Sequence, residues 1–578
     1  MTQEYIDAPA AINLGNLSSE GGNAPPVAKD VTYERILEAR ENEPHNWITY
    51  YGAYDGQRYS LLDQINTENV KKLTPAWVFQ HGSQGLHAGP STYAFEAAPL
   101  VVDGVMFVSG WDGFVWAIDA KTGRLLWQYK HAIPFDVSLC CGTVTRGVAV
   151  AEGKVFLATL NAHVVALDAE SGEMIWDTIH GDVRAAESAT VAPLVVKDKV
   201  IVGSSGGEFG VRGHLDAYDI ETGERVWRCY MVPKPGEPGF ETWPEEGEAW
   251  QRGGGNCWVT GTYDPELNLL YWGTGNPAPD FDGGVREGDN LHTDSCIAVD
   301  ADTGEIRWHY QFTPHDLWDY DSNMEHILFD QDGRKLLAHF DKNGYYFVLD
   351  RTNGELVRVT PFAERITWGE IDANGEVTVK VAPYNEGEPV HFFPGPAGAK
   401  EWTHAAYSPK TDYFYVPIQD TGAEVTRRPK EFKEGIPYWG ASVTVDADNM
   451  KGYIKAYNAS TSEEVWAWEN ETPMCASVLA TAGDLVFAGA PSGEFRAYNA
   501  HTGEVLWEFQ CGSGHHSSPV SYGIDGRQYI AVPVGWGSWV EGFLPGLLGA
   551  PRGNALFVFA LPESAHQEAD AESAGQTS

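Results

Sequence analysis

Apolar and polar residues alternate along most of this chain in short runs, broken by Gly, Asp, Asn and Pro. A period of two predicts strands; the period of 3.6 that marks helices is confined to one short stretch. One eleven-residue phrase recurs: a small residue, an apolar one, Asp or Asn, two variable positions, Thr or Ser, Gly, three more, then Trp. It occurs as Ala117–Trp127, Ala166–Trp176, Ala217–Trp227, Ala298–Trp308 and Ala497–Trp507. Val348–Arg358 lacks the Trp, Ala456–Trp466 has Ser462 in place of the Gly, and Trp77 ends one further strand an equal interval before Trp127.

Each copy reads as a hairpin. A strand ends in Asp or Asn, Thr-Gly makes a tight turn with Gly at positive φ, and the next strand delivers a Trp. Self-similarity at roughly 50 residues is the mark of a propeller, in which each unit is a four-stranded blade. Seven copies plus Trp77 predict an all-β, eight-bladed β-propeller with tryptophan-docking repeats, each Trp wedging one blade against the next. Two longer intervals, Trp227 to Trp308 and Arg358 to Trp466, carry Pro/Gly-rich stretches and predict insertions over one face, near 233–257 and 425–445. The expected organisation is an N-terminal arm over 1–45 with a short helix at VTYERILEAR, the propeller over 46–562, and an acidic tail over 563–578.

Composition agrees. The 578 residues are too many for an ordinary single core unless the architecture is a repeat or ring, and 63 Gly with 21 Trp, 26 Tyr and 24 Phe favour turns and aromatic strands. With 39 basic and 81 acidic residues the formal charge is −42, which argues against nucleic acid and favours a basic partner. No run of about eighteen apolar residues exists, so no membrane-spanning helix is expected. The first ten residues lack a basic and an apolar region, as in a cytoplasmic protein or one whose secretion signal has been removed. Seven cysteines leave at least one unpaired within the chain.

Several phrases carry chemistry. Cys140-Cys141 are adjacent: either two free thiols or a vicinal disulfide, strained because consecutive Cα atoms lie about 3.8 Å apart. An apolar strand runs into Ser204-Ser205-Gly206-Gly207-Glu208, where glycines let the backbone approach a flat ligand. The stretch GGGNCWVTGTYDPELNLLYWGTGNPAP holds Trp258 and Asn276, and His315–Asp321 packs Asp316, Asp319 and Asp321 into seven residues. Read alone, each has a bland alternative: a glycine turn with a solvated Glu, a turn rich in carboxylates, a structural ion pair.

Together and in this order, these phrases resemble the pyrroloquinoline-quinone (PQQ) dependent alcohol dehydrogenases, over nearly the whole repeat region. The resemblance implies that a Cys140–Cys141 disulfide lies against one face of PQQ and Trp258 against the other. It implies further cofactor contacts from Glu96, Arg146, Thr190, Ser205, Gly206, Gly207, Lys342 and Trp539, with the family asparagine replaced at Gln419 or Asp420. Arg146 and Lys342 suit a ligand with three carboxylates and an ortho-quinone. A metal ion would be held by Glu208, Asn276 and Asp319, with Asp319 also the general base that takes the alcohol proton. Asp321 stands where lanthanide-type members carry Asp, so a lanthanide(III) ion is favoured and calcium is the alternative. Cys475 stands where the family often has Trp, which implies a roomier pocket.

No Cys-x-x-Cys-His occurs, so no covalent haem is fused and electrons would pass to a separate acceptor, expected to be a soluble cytochrome c. The family is periplasmic, which fits a disulfide-permissive compartment. The expected substrate is a small alcohol, polyol or sugar, and the expected assembly a monomer or homodimer. Two rivals are a sugar or polyol dehydrogenase of the same class and a non-enzymatic propeller scaffold. The scaffold shares the Trp-ended repeats but has no use for adjacent cysteines, an SSGGE turn or WDYD.

Overall fold

Strands joined by tight turns pair in chain order, four at a time. The computed structural model describes residues 12–13, 28–81, 94–134, 136–540 and 553–563. Leu100–Val102, Val105–Ser109, Phe114–Asp119 and Leu125–Lys130 form the first antiparallel meander. The same arrangement recurs over 149–179, 194–230, 262–311, 327–361, 406–470 and 479–510. In the last sheet Val520–Ile524, Arg527–Val534 and Ala555–Ala560 are completed by Thr74–Gln80, which pairs antiparallel with Ala555–Ala560. The first outer strand of the chain thus closes the ring on its last, and the fold is a β-propeller. Among the described residues six of these sheets have four strands; two have a fifth, Ile12–Asn13 along Leu125–Lys130 and Tyr59–Ser60 parallel to Leu479–Thr481.

The inner strands, such as Val105–Ser109 and Lys154–Ala158, are buried throughout and read as continuous apolar runs. Outer strands such as Thr74–Gln80 and Met174–Ile179 alternate between half-buried and exposed.

The repeat phrase is a docking device between neighbouring sheets. The indole N–H of Trp77 donates to the Ala120 carbonyl at 3.2 Å, Trp127 to Ala169 at 3.0 Å, Trp176 to Ile220 at 3.3 Å, Trp227 to Ala301 at 3.3 Å and Trp466 to Ala500 at 3.0 Å. Trp507 donates to Leu73 at 3.1 Å, carrying the chain of contacts back to the start. Trp77, Trp127, Trp176, Trp227 and Trp466 each lie over the turn glycine of the next copy: a Cβ on Gly172, at φ +74°, would lie 2.7 Å from the Trp127 ring. The two degenerate copies meet each other. Arg358, in the Trp position, donates through Nη2 to the Ala459 carbonyl at 2.7 Å, above Ser462 in the Gly position at φ +62°. Trp308 Nε1 finds no partner, and the corresponding carbonyl, Arg351, accepts the Tyr271 hydroxyl at 2.8 Å.

The expected helix spans Tyr33–Asn42, with the Thr32 side chain accepting from the Arg35 N–H. The 233–257 stretch forms short 3-10 turns at Phe240–Thr242 and Ala249–Arg252. The 425–445 stretch belongs to an added three-stranded sheet, Pro389–Phe392, Ala423–Arg427 and Ala441–Val445. Arg252 stacks 4.2 Å over the Phe432 ring and joins the two insertions. Apart from Glu563, the expected acidic tail lies outside the described residues, as does most of the arm before residue 28.

Candidate active site

The His315–Asp321 loop is anchored by Asp316, Leu317, Trp318 and Tyr320 and presents Asp319 and Asp321. Asp316 is fully buried; its two carboxylate oxygens accept the backbone N–H groups of Trp318 and Tyr320, both at 3.0 Å. Trp318 donates to the Val381 carbonyl at 2.8 Å and packs with Tyr320 and Trp368. Asp319 takes a positive φ of 65°, a conformation Asp tolerates better than most residues, and Asp319 and Asp321 line a cavity of about 710 Å³.

Three further segments build that cavity. Gly206 turns at φ +117°, where a Cβ would meet the Ala186 carbonyl at 2.6 Å, and the short turn Gly207–Phe209 then places Glu208 on the wall. Cys140 and Cys141 are disulfide-bonded, and their sulfurs lie within 4.8 Å of a Glu208 carboxylate oxygen. Trp258 faces the cavity, its indole N–H donating to Asp321 Oδ1 at 3.2 Å. The added sheet covers the mouth with Trp439, Ala441, Val443 and Val445, an apolar lining opposite the carboxylates.

Cations are matched to this array. Lys342 Nζ donates to Asp321 Oδ2 and to the Asp319 carbonyl, both at 2.9 Å, and lies 3.5 Å from Glu401. Arg146 pairs with Glu96 at 3.3 Å, donates to Thr190 Oγ1 at 2.7 Å, and sits 4.7 Å from the rings of both Trp258 and Trp402. Thr190 Oγ1 is also 3.1 Å from Ser205 Oγ. Burial, then the charge of Asp321, pushes Glu208 up to about 7. Burial raises Asp319 well above the carboxylate range against the pull of Lys342, and Asp321, Asp280 and Glu208 raise it further. Lys342 is held well above its ordinary value: burial works against its charge, but Asp319, Asp321 and Glu401 outweigh it. Such clusters of displaced titrating groups in a cleft mark functional sites.

Of the residues expected from sequence, Cys140, Cys141, Arg146, Thr190, Ser205, Gly206, Glu208, Trp258, Asp319, Asp321, Lys342 and Trp539 line the cavity. Asn276 does not, but its backbone N–H donates to Asp321 Oδ1 at 3.1 Å. Gly207 lies behind the wall, where a Cβ would be 3.7 Å from Asn276 Oδ1, and Glu96 acts through Arg146. Gln419 is buried off the wall with neither amide atom partnered, whereas Asp420 is taken by Arg365 at 2.9 Å. Cys475 packs with Trp536, Trp539 and Met450, behind the wall. Among the wall residues that went unremarked in the sequence are two carboxylates, Asp280 and Glu401, and the indole of Trp402. Asp280 follows Asn276 by four positions, one residue beyond the end of the phrase that holds it; Glu401 and Trp402 end a stretch that read only as an insertion.

The arrangement fits a flat polyanion and a hard cation. Arg146 and Lys342 stand at the cavity with aromatic and disulfide surfaces, and the carboxylates converge in greater number than the cations beside them. The family described as "PQQ: Glucose/ethanol/alcohol dehydrogenase, beta-propeller domain" matches over residues 47–391 and 469–530. The chain belongs to the PQQ-dependent alcohol dehydrogenase family. Quinoprotein alcohol dehydrogenase PedH of Pseudomonas putida is 39% identical over 573 residues, covering 93% of this chain and 95% of that protein. A lanthanide-dependent methanol dehydrogenase of Methylacidiphilum fumariolicum is 39% identical over 86% of each chain. A europium-containing methanol dehydrogenase superposes with a TM-score of 0.85 at 37% identity, over 91% of this chain and all (100%) of the other. The quinohemoprotein alcohol dehydrogenase of Comamonas testosteroni gives 0.86 at 36% identity, over 93% of this chain and 83% of that one. Membership in this enzyme family removes the scaffold reading. Among the described residues no helix is long and apolar enough to cross a membrane.

Proposed function

We propose that this quinoprotein, an eight-bladed propeller, oxidises alcohols to aldehydes, with Asp319 as general base. One observation carries the reading: Asp319 and Asp321 face a single cavity with Glu208, and that cavity is walled by the Cys140–Cys141 disulfide and by Trp258. When bound, PQQ supplies a two-electron acceptor for the hydride from the carbinol carbon, and a hard cation supplies Lewis acidity beside it. The protein's part is to bind, orient and take the proton. Cys140–Cys141 and Trp258 form the two faces of the cofactor slot, and Arg146 and Lys342 meet its acidic and carbonyl groups. Thr190, Ser205 and the Gly206-Gly207 backbone fix its edge, with Glu96 holding Arg146 in place. Trp539 completes the contacts from the wall, and Gln419, behind it, has an uncommitted amide to offer.

Glu208, Asn276, Asp319 and Asp321 hold the metal. A lanthanide(III) ion is favoured over calcium, because Asp321 adds an anionic oxygen that a trivalent ion rewards more. Asp319 accepts the hydroxyl proton, and the apolar Trp439, Val443 and Val445 exclude water from the reacting carbon. Electrons leave to a separate cytochrome c in the periplasm. The test is reconstitution with PQQ and either metal, followed by dye-linked assays with ethanol, a polyol and a sugar. Reduction with ethanol supports the reading; sugar or polyol alone would move the substrate class, and no PQQ absorbance would reject the cofactor site.

A further inference from the structure

Asp280 is buried on the cavity wall, and its Oδ1 has no hydrogen-bond partner. Its main chain is fixed on both sides. Arg286 Nη2 donates to the Asp280 carbonyl at 3.1 Å, and the N–H of Phe281 donates to the Trp439 carbonyl at 2.9 Å. Arg286 makes no hydrogen bond to the carboxylate, its donors going to the Pro279, Asp280 and Asp316 carbonyls and to Asn290 Oδ1; its charge acts on Asp280 through space, more weakly than the opposing charges of Glu208 and Asp321. The charges that act on Asp280 most strongly are Glu208 and then Asp321, and Asp280 in turn acts on Asp319.

Charge accounting extends the point. Glu208, Asp280, Asp319, Asp321 and Glu401 face one chamber, and Lys342 is the cation bonded among them. Arg146 is already matched to Glu96. Leaving buried carboxylates uncompensated costs several kcal/mol each, on the order of what a bound cation removes. A trivalent ion offsets more of this excess than a divalent one, and oxygen donors alone suit either.

We propose that Asp280 gives a carboxylate oxygen to the metal ion of this site, and that its charge biases the site toward a trivalent over a divalent ion. The proposal rests on the metal reading above and adds a ligand to it. Asp280 is a product of this chain's own sequence: it leaves the loop that carries Asn276 and lines the chamber, whose wall Asp319 and Asp321 reach from a separate segment, with Asn276 tied to Asp321 from behind through its backbone N–H.

Terbium(III) titration of the full chain tests it, with and without PQQ, reading emission sensitised by Trp258 and using calcium as competitor. Emission lost in Asp321→Ala defines the chamber signal. Asp280→Asn is expected to weaken terbium about tenfold or more, weaken calcium by less, and admit about one extra metal-bound water, read from lifetimes in water and deuterium oxide. Terbium binding within about twofold of the parent, with an unchanged water count, would overturn the proposal. Melting of the metal-free variant guards against misfolding: relief of buried like charge raises the midpoint, and if it falls instead, Asp280→Ser carries the same titration. Absence of any Asp321-dependent terbium signal in the parent would be a failure of the metal reading itself, distinct from failure of Asp280's part in it.

Discussion

The Trp258 indole donates to Asp321 Oδ1 at 3.2 Å, so one wall of the cavity is tied to the carboxylate at its floor. The ring that would face a flat cofactor and the oxygen that would face a metal therefore cannot be moved independently. Trp258→Phe keeps an aromatic face but deletes the donor. It should lower metal affinity about tenfold while PQQ absorbance is retained, as seen when supporting hydrogen bonds to metal ligands are removed. Paired metal titration and absorbance spectra check this; equal loss of both would mean the ring itself is the essential part.

Asp319→Asn preserves shape and removes the base. PQQ should still bind, and kcat should fall by about 100-fold or more. Stopped-flow dye reduction with spectrally loaded enzyme separates this from loss of cofactor.

Asp321→Ala should cost lanthanide-supported activity more than calcium-supported activity, because the trivalent ion gains more from the extra anionic oxygen. Activity measured with each ion at saturation decides it, and equal losses would remove Asp321 from the metal preference.

The metal-free protein should lose stability as pH rises from about 4 to 7. Burial, as the first cause, pushes Glu208, Asp316 and Asp341 up to about 7. In the unfolded chain such groups release their protons near pH 4 to 5, roughly. Between those values the folded chain holds more protons, so raising pH favours unfolding. Thermal melts across that range should slope downward with chelator present and flatten when metal is added, since the ion stabilises the charged carboxylates.

Gly172→Ala places a Cβ 2.7 Å from the Trp127 ring at φ +74°. The cost should be about 1–3 kcal/mol, read as a shift in urea midpoint with alcohol oxidation little changed below the transition.

The repeat was legible because its signal is local: turn chemistry and a Trp at fixed spacing specify a hairpin before any tertiary contact forms. The degenerate copies were legible only as lapses. That Arg358 bonds the Ala459 and Ser460 carbonyls of the turn that carries Ser462, so that a guanidinium takes the place of an indole there, is a relation between two copies and belongs to neither alone. The same limit governs the site. Phrases such as SSGGE and WDYD showed themselves by sequence, and Asp319, Asp321 and Glu208 do share one cavity. Asp280, Glu401 and Trp402 did not, because a lone carboxylate in a Pro/Gly-rich loop has no periodicity to give it a direction. Between Gln419 and Asp420 the structure discriminates by partner: Arg365 claims Asp420 and leaves the Gln419 amide uncommitted.

Thr74–Gln80 waits for Ala555–Ala560 before its backbone is paired. The circle cannot be latched until residues 555–560 have been made, so two segments roughly five hundred positions apart must meet before the hub is enclosed. If the hub holds quinone and ion as proposed, a product truncated before residue 555 should fail to acquire either, however many intact hairpins it retains.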